Sequence, residues 1–469
     1  MIFVNKSKRN LVIFFVVSVT QMISSGFSQE HDQTVYLTLQ GSIHRALHDN
    51  NQIQFSDYGL QKAQWDNYQA WSQLLPSVQF STRYIHIDNQ TLAERDFRSY
   101  LPPEVSDQMP QTVFQESYYS AIDVSVPLFN GAVLNGIRIA KANKNTADQM
   151  NESTINATLF QVISSYLNVL KTQELLRLQE DFTNLTKLNY EKAQRQESAG
   201  RFSKNEVLFW EIDYQRQQSA LTSAESSLRT TKSVLTNLLD LDIDTKIEVE
   251  YTIPKEIMDE SRIIELMSDD EILSMINLNE RDLILANAAL ATGRSQKEIS
   301  KLLYKNTQAS FLPSVNFGYT YAWRENNTLK LDDYSPETYM INLSIPLFTS
   351  FQNLSKTRSA YFEYQQNVEK YEDQLNNIQF VLSETVNKII NLKTQRKLSQ
   401  MNVIYSENNY RVIEQQKENG VISNLDFINT KLDLQNSELA DINNQYDFIT
   451  AIVELYYLLG KFDKIVDIN

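Results

Sequence analysis

Few side chains in this sequence have the types and spacing to do chemistry. His44 and His48 stand four residues apart on a predicted helix, which turns both imidazoles to one side. Such a pair could hold a metal ion if a third ligand joined it. None is evident nearby, so surface histidines are the simpler reading and no metal is expected. Ser203 with Glu206, and Ser423 with Asp426, have the three-residue spacing of helix-capping pairs. Each pair follows a glycine, Gly200 or Gly420, of the kind that ends a helix in the left-handed conformation. No Gly-rich nucleotide loop, Gly-x-Ser-x-Gly or His-Glu-x-x-His signature occurs. There is no cysteine, hence no thiolate nucleophile, thiolate metal site, disulfide or lipid-anchored N-terminal cysteine. The many Asp and Glu residues are scattered as on solvated helix faces. Neither enzymatic activity nor a cofactor is expected.

The elements that position these residues begin after an export signal. Lys6, Lys8 and Arg9 precede an apolar stretch from Leu11 to Val19, and Gly26-Phe27-Ser28 offers small residues for cleavage, so residues 1–28 read as a signal peptide. Without them the chain carries 40 basic and 58 acidic side chains, a charge of −18. That balance argues against a nucleic-acid partner and suits an acidic surface or pore.

The mature chain reads as two copies of one unit, residues 29–260 and 261–469. Leu75-Pro76-Ser77-Val78 returns as Leu312-Pro313-Ser314-Val315, and Val126-Pro127-Leu128-Phe129 as Ile345-Pro346-Leu347-Phe348. Gly200 returns as Gly420, and Leu238-Leu239 as Leu458-Leu459. The separations are 219 or 220 residues except for Pro76 to Pro313, which is 237, so the first copy carries 18 extra residues between 77 and 126. Pro102, Pro103 and Pro110 in that insertion mark a longer strand-to-strand loop.

Within each unit the pattern changes from period two to long helices. Strands are expected near 78–88 and 118–128, then near 315–324 and 338–348, with Ile122, Val124 and Val126 on one face and Asp123 and Ser125 on the other. Ten-residue runs with one apolar and one polar face fit membrane strands around a wet interior; a soluble sandwich gives the same period. Proline-free stretches 131–199 and 351–419 predict helices about 100 Å long. The returning segments 201–240 and 421–460 are shorter. Pre-strand helices at 42–75 and roughly 270–312 would stack end to end on them, the second one longer. A further segment, 241–260, closes the first copy. Four strands cannot close a barrel, and open edges are not tolerated in lipid. Several chains must therefore share one barrel, two with 8 strands or three with 12.

The duplicated Leu-Pro-Ser strand starts, the Pro-Leu-Phe strand ends, the Gly-x-x-Ser-x-x-acid turns and Asn279-Glu280-Arg281-Asp282-Leu283 together resemble the TolC family of outer-membrane efflux channels. The resemblance runs from Leu37 to Leu459. It implies a fold that is mainly α with membrane β. The expected molecule is a homotrimer with a 12-stranded barrel in outer-membrane lipid and a helical barrel crossing the periplasm. It further implies a periplasmic adaptor and an inner-membrane exporter of RND or ABC type as partners. By the same resemblance Asp426 lines a pore constriction, with Asn429 where family members often have a second acid. Simple capping by Asp426 is the alternative. Gly200, Arg201, Ser203, Gly420, Val421 and Ser423 become adaptor-contact tips, or ordinary turn residues. Tyr319, Tyr321, Trp323 and Tyr339 become a membrane belt, or plain strand packing. A self-standing porin and a soluble periplasmic scaffold are the rival functions.

Overall fold

The computed structural model describes residues 34–242, 244–326 and 336–465. The expected signal peptide lies outside the described residues. In chain order the elements are β1 (Val35–Leu37), α1 (Leu39–Asp49), α2 (Asn51–Ser72), β2 (Ser77–His86), α3 (Asn89–Arg95), α4 (Pro103–Ser106), β3 (Glu116–Asn130), α5 (Gly131–Ser198), α6 (Lys204–Leu238), β4 (Ile247–Val249), α7 (Lys255–Leu266), α8 (Asp269–Ser274), α9 (Glu280–Ala286), α10 (Ala288–Ala309), β5 (Ser314–Asn326), β6 (Glu337–Ser344), α11 (Gln352–Glu418) and α12 (Asn424–Leu458).

Two helices set the length of the molecule. The 68 residues of α5 and the 67 of α11 each extend about 100 Å. Neither contains a proline to break the hydrogen-bond ladder. Helix α5 packs against α2 towards the sheet and α6 away from it, and α11 does the same with α10 and α12. Each long helix therefore lies beside a composite one. The composite members match between the halves: α2 and α10 have 22 residues each, and α6 and α12 have 35 each.

The equality of α2 and α10 corrects the expectation of one long pre-strand helix in each half. Asn50 interrupts the first, its side chain accepting from the Gln52 and Ile53 amides to start a new helix. Asn287 does the same through the Leu290 amide. Residues 270–312 form a longer stretch than 42–75 because α8 and α9 precede the break as separate short helices.

The four predicted strands form one antiparallel sheet in the order β2-β3-β5-β6. Its register aligns Phe80, Ile122 and Tyr321 across three strands, then Phe317 with Ile341 and Val315 with Leu343. Val78, Phe80, Tyr339, Ile341 and Leu343 are all more than half exposed on this apolar face. The opposite face carries Ser81, Asp123, Asn316, Thr320 and Asn342, with the Thr320 hydroxyl donating to Asp123 at 2.6 Å. The last strand ends at Ser344 rather than 348, because β5 offers no partner beyond Ser314 and Pro346 has no amide to donate. The first ends at His86 rather than 88, since Asp88 caps α3. A second, two-stranded parallel sheet pairs β1 with β4, a feature the sequence pattern did not suggest.

The main core lies where this small sheet meets the helices. It gathers Val162, Tyr166 and Leu170 of α5 with Ile389 of α11 and Phe448 and Ile452 of α12. Among the described residues no helix is long and apolar enough to cross a membrane.

Candidate functional site

Both helical hairpins turn at the end of the molecule remote from the sheet, and their turns are built alike. Gly200 and Gly420 sit at φ of +72° and +71°, the left-handed region that favours glycine. The Gly200 and Arg201 amides donate back to Glu197 and Gln196, and those of Gly420 and Val421 to Lys417 and Gln416. This reciprocal pattern satisfies the last carbonyls of each long helix.

The returning helices start differently. Ser203 and Glu206 make a complete capping box, with the Glu206 amide 3.3 Å from Ser203 Oγ and the Ser203 amide 2.7 Å from Glu206 Oε2. Those bonds hold the Glu206 carboxyl below its usual range. Ser423 accepts from the Asp426 amide at 3.1 Å, while the shorter Asp426 carboxylate takes only the Ser423 hydroxyl, at 2.6 Å. Asp426 and Asn429 are both exposed, three residues apart at the start of α12. Gly200, Arg201, Ser203, Gly420, Val421 and Ser423 are all exposed as well.

An aromatic cluster holds the two turns side by side. Trp210 of α6 meets Phe427 of α12 with ring centroids 6.1 Å apart, and Phe427 meets Tyr410 of α11 at 5.7 Å. Lys417 lies 6.0 Å over the Trp210 ring and bonds to Asn424. Burial lowers its pKa, which nearby Glu206 partly offsets.

Deeper in, polar side chains cross between the hairpins. Lys431 of α12 is fully buried and reaches Asp213 of α6 at 2.5 Å and the Thr186 hydroxyl of α5 at 3.0 Å. Desolvation pulls the Lys431 pKa down and Asp213 opposes it. One Asp213 oxygen, Oδ1, has no hydrogen-bond partner. Gln179, Gln217 and Gln435 form a second buried link across α5, α6 and α12, with Gln179 Nε2 2.6 Å from Gln217 Oε1 and Gln435 Nε2 3.0 Å from Gln179 Oε1. Sequence reasoning missed both. The available signal was a lysine four residues after Phe427 and three before Leu434, on the face those residues bury.

At the other end Tyr319, Tyr321, Trp323 and Tyr339, the residues expected to form a belt, lie together on the apolar face of the sheet. Tyr319 and Tyr339 are cross-strand partners with rings 4.9 Å apart, and Tyr321 meets Trp323 edge-on at 4.6 Å. His44 and His48 lie side by side, 4.5 Å apart and exposed. Among the described residues no group of three or more metal-ligating side chains exists.

A sheet with one apolar face, continued by helices about 100 Å long that end in paired turns, is a distinctive architecture. The outer membrane efflux protein family model matches residues 42–240 and 276–461. This chain belongs to that family. It has the TolC-like fold that the residue pattern resembled. Among curated proteins it is similar to the alkaline protease secretion protein AprF of Pseudomonas aeruginosa, 22% identical over 361 residues, which cover 74% of this chain and 71% of the relative. Among solved structures, the CmeC outer membrane channel of Campylobacter jejuni superposes with a TM-score of 0.76 at 14% identity, covering 90% of this chain and 85% of that one. VceC of Vibrio cholerae gives 0.75 at 15% identity, over 90% and 96%. The outer membrane efflux protein family is a channel family and not a family of enzymes.

Proposed function

We propose that this efflux-family chain is one third of a passive outer-membrane duct, a homotrimer with a shared 12-stranded barrel and a helical tunnel in the periplasm. The observation that carries this reading is the four-stranded sheet, which exposes a continuous apolar face and leaves β2 and β6 each with an unpaired edge. In lipid every such edge must be closed, at a cost of several kcal/mol for each polar group left bare.

The helices support the same closure. Helices α5 and α10 have neighbours on both sides, whereas α2 and α6 border one flank and α11 the other. Phe55, Tyr58, Trp65 and Tyr68 are exposed on the first flank, and Phe362, Phe380 and Ile404 on the second. Joining unlike flanks head to tail closes a ring. Three copies supply twelve strands, the number the TolC resemblance implies. The matched helix lengths of the halves support their origin by duplication.

In the proposed complex the turns at Gly200, Arg201 and Ser203, and at Gly420, Val421 and Ser423, meet a periplasmic adaptor. The adaptor joins the duct to an inner-membrane exporter of RND or ABC type, which supplies the energy. The name of the AprF relative favours a secretion role. Tyr319, Tyr321, Trp323 and Tyr339 meet the lipid boundary. Asp426 repeated around a threefold axis forms a ring of carboxylates at the mouth, with Asn429 adding no charge. Asp426→Ala is expected to reduce cation preference in single-channel recordings; unchanged current and selectivity would leave Asp426 as a helix cap alone.

Photo-crosslinking residues placed at Arg201 and Val421 in native envelopes test the partner assignment. Recovery of an adaptor and its exporter is expected. Recovery of copies of this chain alone, under conditions that capture a known tripartite complex, would favour a self-standing porin.

A further inference from the structure

The groove between the two hairpins contains a cavity of about 410 Å³ formed by α5, α11 and α12. Its floor is apolar, made by Leu178, Phe182, Leu185, Leu434 and Ile442. Its lining also carries four carboxylates: Glu174 and Asp181 come from α5, and Glu438 and Asp441 from α12. Glu407 of α11 faces Glu438 as well. The one cation in the lining is Arg177, whose guanidinium lies 5.9 Å over the Tyr251 ring. Asp441 takes a hydrogen bond from Ser399 at 2.7 Å, and Glu174 one from Tyr446. Asp181 and Glu438 make no ion pair among the described residues.

From this geometry we infer that the inter-hairpin groove binds a small lipophilic cation, its apolar body on the Phe182 floor and its charge between Asp181 and Glu438. The volume lies within the roughly 300–1,000 Å³ typical of small-molecule sites. Four carboxylates line the groove against the single guanidinium of Arg177. Burial first, then Glu407 and Asp181, push the Glu438 pKa up to about 7. Because that value lies above the ordinary 4.5, the neutral carboxyl is favoured: stability is whole below about 4.5 and is lost as the pH rises through about 7. A bound cation reverses that loss at neutral pH. The inference goes beyond conduction and does not rest on it, since the groove exists within one chain.

The test is equilibrium binding of tetraphenylphosphonium to the detergent-solubilised full chain, with the isosteric anion tetraphenylborate as the charge control. Saturable binding of one cation per chain is expected, tightening as the pH rises through about 7. Glu438→Gln should weaken it by about tenfold and flatten the pH dependence. Asp181→Asn, at an exposed position, should weaken it too, and keeps the test valid if the first variant misfolds. No saturable binding, equal uptake of the borate, or affinity unchanged in both variants would overturn the proposal.

Discussion

Replacing Lys431 by methionine alone should destabilise the joined hairpins by about 3–5 kcal/mol. The lysine has no exposed surface and Asp213 is 2% exposed, so the substitution leaves a carboxylate sealed from water without its counter-ion. Asp213 Oδ1 already lacks a partner, and Oδ2 would then lose its short bond to the ammonium. Thr186 cannot compensate, because its hydroxyl already donates to the Phe182 carbonyl at 2.8 Å. The double variant Lys431→Met, Asp213→Leu removes both charges and fills the space with apolar atoms, so it should lie within about 1–2 kcal/mol of the parent or exceed it. Thermal unfolding of the solubilised protein, followed by far-ultraviolet circular dichroism, distinguishes the cases. A single variant as stable as the parent would mean that the pair is hydrated, contrary to its burial.

The second large effect is expected at Gly460, where α12 turns back against the junction of α9 and α10. Its φ is +62°, and a Cβ added there would lie 2.1 Å from the Ala286 carbonyl oxygen and 2.9 Å from its carbon. No flexible side chain stands in the way to yield; the obstruction is backbone. Gly460→Ala should therefore cost about 2–5 kcal/mol, combining left-handed strain with overpacking. Gly200→Ala and Gly420→Ala provide the control. Their φ values are similar, but nothing lies within 4 Å of the new Cβ, so only the conformational cost of about 1–2 kcal/mol remains. The same thermal measurement ranks the three variants, and equal losses would show that the Ala286 contact yields freely.

Asp240 explains why the first half needs no glycine at the matching turn. It holds φ at +50° with a side chain in place and accepts a hydrogen bond from Asn51 at 2.8 Å. Its side chain borders a polar cavity of about 430 Å³ lined by Asn50, Asn51 and Asn237, where the second half has the Ala286 backbone. The halves share a plan while their junctions differ in packing.

These details show which parts of the molecule were legible in the sequence. The long helices, paired turns and two-faced strands each follow from local period, proline placement or glycine position, and the structure places them within a few residues of the expected bounds. Turn chemistry at Ser203 and Glu206 was readable because both partners lie within three residues. The breaks at Asn50 and Asn287 were harder, since an asparagine inside an amphipathic stretch looks like a surface residue until its cap is seen. The pairing of β1 with β4 joins three-residue segments some 200 positions apart, too short to carry a period. Lys431 and Asp213 depart from the repeat itself. At the 220-residue offset, Lys431 corresponds to Glu211, and Asp213 to the exposed Asp433. A contact that neither local pattern nor repeat predicts becomes visible only in three dimensions.

The most direct test of the central claim is the current carried by the purified protein in a planar lipid bilayer. A closed oligomeric duct with an acidic mouth predicts discrete channel steps with a preference for cations. Membrane-inserted protein that carries no current under any applied voltage would contradict the account.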